Sequence, residues 1–97
     1  MTTDYVLDET ATLLKARGHR HLVERLFEVV FSSAACRVEW MGPDMFASTR
    51  QFLFKHADKD WSFTDCFSFL VMRGLKLQDA LSSDLHYRQA GFNPLLI

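Results

Sequence analysis

Ninety-seven residues, 48% hydrophobic and 13% aromatic, suffice for one modest core and leave no room for a second domain. Eleven Lys and Arg against twelve Asp and Glu give a net charge of -1, which excludes a global positive field that would hold nucleic acid non-specifically. No stretch approaches the roughly 20 uncharged apolar residues of a membrane span, and Thr2, Thr3 and Asp4 stand where a secretory leader would be basic, so the chain reads as soluble and cytoplasmic. Cys36 and Cys66 lack CxxC spacing and suit buried, reduced thiols better than a disulfide framework or a zinc site.

In chain order, Val6, Leu7, Leu13 and Leu14 recur at helical spacing from Asp4 to Arg17, and Gly18 is placed to end that helix. The densest basic stretch follows, with Lys15, Arg17, His19, Arg20 and His21 either lining a phosphate path or forming a solvated helix end. Leu22, Val23, Leu26, Phe27 and Val30 fall on one side of a second helix through Phe31, placed to pack against the first. Val38 and Trp40 alternate with charged residues in a short strand, Cys36 to Met41, that stops at Gly42 and Pro43. Pro43 suits the first turn of a third helix reaching about Ala57, with Phe46, Leu53 and Ala57 expected inward and Thr49 and Arg50 beside them. After the charged loop Asp58-Lys59-Asp60, Ser62 is placed to cap a fourth helix through Arg73. Two apolar pieces, Ala80 to Leu81 and Leu95 to Ile97, read as short strands. Helices of this length alternating with strands predict an α/β fold with a mainly parallel sheet.

Three acids stand where their surroundings need explaining. Glu9 lies three residues after Val6 and four before Leu13, which places it on the apolar stripe or at its edge, reaching solvent. Asp65 follows Ser62 by three, the spacing of a capping box, and the same position at a helix start after a loop is also where ligands gather in open α/β sheets. Asp84, in Ser82-Ser83-Asp84-Leu85-His86, is either a turn-forming residue or a metal ligand. If the three meet, their repulsion calls for a divalent cation, and oxygen ligands favour Mg2+ or Mn2+ over zinc. His86 is then either a proton carrier or a packing residue of the turn.

The three segments together resemble a PIN-domain ribonuclease of the VapC toxin type. Thr3-Asp4-Tyr5-Val6-Leu7-Asp8-Glu9-Thr10, followed by Leu13-Leu14, is similar to the family's second acidic motif, Trp61-Ser62-Phe63-Thr64-Asp65-Cys66 to its third, and Ser83-Asp84-Leu85-His86-Tyr87 with Gln89-Ala90-Gly91-Phe92 to its closing motif. The resemblance runs from about residue 2 to residue 97. It implies a single PIN-like domain over 1–97, three-layer α/β/α, without the family's N-terminal strand and first helices. That strand would lie at the centre of the sheet, so its neighbours on either side lose the strand they share.

The same resemblance implies a divalent-metal-dependent endoribonuclease with Glu9, Asp65 and Asp84 as metal-site and catalytic acids, Thr64 supporting the site, and Mg2+ or Mn2+ as cofactor. Its implied partners are an RNA substrate, an antitoxin and a second copy of the chain. The missing first motif keeps open a non-catalytic PIN-like remnant that binds the antitoxin or itself. A small DNA-binding helical protein is disfavoured by the near-neutral charge and by the lack of a helix-turn-helix signal.

Overall fold

The computed structural model describes residues 1–96. Its elements run β1 (Thr2–Thr3), α1 (Asp4–Ala16), α2 (Arg20–Ser32), β2 (Val38–Glu39), α3 (Pro43–Lys55), α4 (Phe63–Gly74), β3 (Asp79–Ala80), α5 (Leu85–Gln89) and β4 (Asn93–Pro94). They fall into two units, Met1–Met41 and Gly42–Ile97. Each contains one parallel strand pair, β1 with β2 and β3 with β4, so parallel pairing holds in both.

In the first unit, Thr3 caps α1 by accepting a hydrogen bond from the Val6 amide at 3.1 Å. Asp4 Oδ1 accepts from the Met41 amide at 3.0 Å, which ties the start of α1 to the end of the segment carrying β2. Gly18 ends the helix as expected: its φ is +78°, and the His19 amide reaches back to the Leu14 carbonyl, the six-to-one bond of a Schellman cap. The buried line of α1 starts at Thr3 and passes through Leu7, with Ala11 and Leu14 half-buried. This corrects the apolar stripe at Leu13, which is 47% exposed, while Glu9 is exposed, as the reading that sets it at the stripe's edge reaching solvent has it. The reason is the cap: with Thr3 buried, positions four and eight later share its face. In α2 only Val23, Leu26 and Val30 are half-buried, while Leu22, Phe27, Val29 and Phe31 stay exposed.

The second unit holds an aromatic core of Phe52, Trp61, Cys66, Phe69, Met72 and Phe92. The inward face of α3 is carried by Thr49 and Phe52, with Leu53 half-buried. Phe46 and Ala57, expected inward, are exposed instead. Thr49 can occupy a fully buried position because its hydroxyl donates to the Met45 carbonyl at 2.6 Å, leaving no unsatisfied polar group. Phe52 stacks on Trp61, and the Arg73 guanidinium lies 5.0 Å from the Phe52 ring centroid.

The strands near the carboxyl end begin slightly earlier than the apolar pieces suggest, and Leu81, Leu95 and Leu96 are exposed. The ladder nonetheless continues past β4, since the amides of Asn93, Leu95 and Leu96 donate to the carbonyls of Gln78, Ala80 and Ser82. Pro94 fits this ladder because its neighbours on either side supply the donors and its own nitrogen is not needed. Ile97, the last residue of the expected strand, lies outside the described residues. The five-residue α5 and the two-residue β1 have no counterpart in the sequence reading; both are too short for a periodicity signal.

Candidate active site

Asp65 is positioned by the backbone of α4. Ser62 Oγ accepts from the Asp65 amide, and Asp65 Oδ2 accepts from the Ser62 amide, both at 3.0 Å, completing the capping box that the spacing predicts. Asp84 is held by the same device in a shorter form. It caps α5 by accepting the His86 amide at 2.9 Å, while its own amide donates to Ser82 Oγ at 3.0 Å. Both acids are therefore held by bonds to groups two or three residues away in the chain.

Packing between α4 and α5 then brings them together. Phe69, one turn after Asp65 and on the same face, meets the Tyr87 ring edge-on at 5.0 Å between centroids and lies 5.7 Å from the Phe92 ring. Trp61 Nε1 donates to Gln89 Oε1 at 3.1 Å, pinning the approach to α4 onto the end of α5. Gly91, with φ of +94°, closes α5 in a Schellman turn that delivers Phe92 into the core.

The result is a cluster of Asp65, Asp84 and His86, whose potential ligand atoms all lie within 4.8 Å of one another. His86 Nδ1 stands 3.2 Å from Asp65 Oδ2 and 3.3 Å from Asp84 Oδ1. Asp65 is the most enclosed at 17% side-chain exposure and Asp84 the most open at 44%, so the cluster faces solvent on its Asp84 side. Directly behind Asp65, burial pushes the Cys66 thiol upward in pKa, and the neighbouring Asp65 carboxylate adds to the rise. Cys66 is therefore an inert, protonated core residue, whereas Cys36 is only half-buried; both are free thiols.

Of the residues singled out in the sequence, the structure thus joins Asp65 and Asp84, places half-buried Thr64 next to Asp65 in α4, and sets Glu9 on the exposed side of α1 in the other unit. His86, read as either a proton carrier or a turn residue, is the side chain that both carboxylates contact. The sequence marked it only by its place two residues after Asp84, a spacing that does not by itself bring the two side chains together. Two carboxylates converging on one imidazole nitrogen form a donor set that suits a divalent cation.

No family profile matches the chain. It is 38% identical over 93 residues to a Mycobacterium tuberculosis protein named 23S rRNA-specific endonuclease VapC20, in each of two strains, covering 95% of this chain and 70% of the relative. The chain belongs to the VapC family of PIN-domain ribonucleases. The crystal structure of M. tuberculosis VapC20, described as a sarcin-ricin loop cleaving toxin, superposes with a TM-score of 0.86 at 34% identity, again over 95% of this chain and 70% of that one. The α/β PIN fold implied by the three motifs is the fold of this VapC protein.

Proposed function

We propose that this VapC-family chain is a divalent-metal-dependent endoribonuclease that cuts ribosomal RNA, with Asp65 and Asp84 holding Mg2+ or Mn2+. The convergence of the two carboxylates on His86 Nδ1, at 3.2 and 3.3 Å, is the observation that carries this reading. The capping bonds from the Ser62 and His86 amides leave the two acids little freedom to turn away, so the donor set is preorganised. When bound, the ion supplies a Lewis acid for the phosphoryl oxygen and lowers the pKa of a bound water. Thr64, adjacent to Asp65 at the start of α4, is proposed as a supporting residue. Glu9 is proposed as a further acid of the same activity on its motif alone.

Ribosomal RNA is the proposed substrate class because the relative matched over 95% of the chain is named for it. An antitoxin and a second copy of the chain are proposed as protein partners. The aromatic run Phe27, Phe31 and Trp40 supports a protein partner: the rings stack in series at 6.1 and 6.4 Å while Phe31 and Trp40 stay more than half exposed. Among the described residues no helix is long and apolar enough to cross a membrane, and the proposed place of action is the cytoplasm, where ribosomes are found. The 97 residues are proposed to act as one PIN-like domain.

Incubating the protein with purified ribosomal RNA and transfer RNA, with Mn2+ or with chelator, tests the activity. Metal-dependent cutting of ribosomal RNA that Asp65→Asn and Asp84→Asn both abolish is the expected result, and Glu9→Gln tests the third acid. A folded wild-type protein that cuts neither RNA with metal present overturns the enzymatic reading and leaves a binding module.

A further inference from the structure

The two acids account for the charge of the site but not for His86, which approaches both of them. We propose that His86 is a protein ligand of the site metal, binding through Nδ1 beside Asp65 and Asp84, and that this nitrogen shifts the site's preference from Mg2+ toward Mn2+. The inference rests on the metal-dependent reading above and deepens it.

Three observations support it. Ligand atoms about 2.1–2.2 Å from a shared ion and at right angles to each other stand about 3.0–3.1 Å apart. His86 Nδ1 is 3.2 Å from one carboxylate oxygen and 3.3 Å from the other, close to that spacing, and all three ligand atoms lie within 4.8 Å of one another. Secondly, two of the three groups are close in the chain. Asp84 caps α5 through the His86 amide, so the acid and the imidazole leave the same turn of the chain. Thirdly, His86 is half-buried at 30% side-chain exposure, enough to restrict its ring while leaving the cluster open to solvent.

The chemical consequence follows from donor type. Mg2+ is a hard ion that takes oxygen ligands and gives up its water reluctantly. Imidazole suits the later divalent ions, and affinity at a mixed nitrogen and oxygen site rises from Mn2+ toward Ni2+. A third ligand that is nitrogen therefore favours Mn2+ over Mg2+, whereas an all-carboxylate site would rank the two by size and ease of dehydration. The ring must then carry its proton on Nε2, leaving the Nδ1 lone pair for the ion.

The test uses the full 97-residue protein and Mn2+ alone. Electron spin echo envelope modulation on the Mn2+-loaded protein reports directly bound imidazole nitrogen, and calorimetry gives the Mn2+ and Mg2+ affinities of wild type, His86→Ala and His86→Gln. The expected result is a nitrogen modulation in wild type that both variants lose. Their Mn2+ affinity should fall at least about tenfold, with a smaller loss for Mg2+. Mn2+ that binds and is lost in Asp65→Asn, but shows no nitrogen modulation or one that survives in either folded His86 variant, overturns the ligand role and leaves the carboxylate site intact. Wild-type protein that binds no Mn2+ overturns both readings. Because the wild-type spectrum alone can fail the proposal, it does not depend on the variants folding.

Discussion

Residues 1–41 describe one buried apolar side chain, Leu7, and a helix, α2, that buries none, whereas residues 42–96 bury Phe52, Trp61, Cys66, Phe67, Phe69, Met72 and Phe92. Both regions have well-formed helices with Schellman turns, so local helix signals do not distinguish them. The difference lies in the number of large side chains that meet across elements. In the second region the aromatic rings of α3, α4, α5 and the approach to β4 interlock, and this packing sets Asp65 against Asp84 and His86. A site that needs sub-ångström placement belongs on the region whose rotamers are locked by packing.

The largest expected effect separates the two regions by stability. Phe69→Ala removes a fully buried ring at the centre of the aromatic cluster and should cost about 3–5 kcal/mol, whereas Phe31→Ala on the exposed face of α2 should change stability by less than about 0.5 kcal/mol. Urea unfolding of both variants measures it, and equal losses would mean that α2 is as firmly packed as α4.

Next comes activity without stability. Asp65→Asn should lower RNA cleavage by at least about a hundredfold, since it removes a charged metal ligand, yet move the unfolding midpoint by no more than a cap substitution does. A cleavage assay beside a thermal melt shows whether the two effects separate. Ser62→Ala sharpens the link between cap and site. Losing the hydroxyl that accepts the Asp65 amide should cost about 1 kcal/mol and also weaken Mn2+ binding, because the helix start that presents Asp65 then keeps only one of its two reciprocal capping bonds, from the Ser62 amide to the carboxylate.

A gain is expected at the end of α4. Lys76 occupies the left-handed position, φ 57°, of a Schellman turn whose bonds run from the Leu77 amide to the Met72 carbonyl and from the Lys76 amide to the Arg73 carbonyl. Lys76→Gly should stabilise the protein by about 0.5–1 kcal/mol, read as a raised melting temperature.

The smallest effect is a pH dependence. Burial, then Asp65, raises the Cys66 pKa above its usual 9.0, so the unfolded chain loses this proton first as pH rises. The contribution of Cys66 is therefore fully present below pH 9.0 and declines above it, and Cys66→Ala should flatten that decline in melts taken from pH 8 to 10. Cys36, half-buried, should also react faster with iodoacetamide than Cys66.

Much of this protein is decided by short-range rules that a sequence displays. Pro43 opens α3, the Ser62 and Asp65 pair closes its capping box, and Gly18 takes the left-handed position after α1, because each depends only on backbone groups within a few residues. The acids Asp65 and Asp84 were legible as candidates for the same reason, since each sits in a recognisable local motif. What only the tertiary structure decided is which faces turn inward and which side chains meet. Thr49 and Phe52, not Phe46 and Ala57, line the core because the Thr49 hydroxyl satisfies itself on its own helix. On α1 it is Leu7, in line with buried Thr3, and not Leu13 that turns inward, and of the two positions open to Glu9 the solvent-facing one is taken. His86 reaches two carboxylates, one of them 21 positions away, because Phe69 packs against Tyr87, and contact between residues so far apart in the chain is fixed by the fit of buried rings that no local spacing encodes.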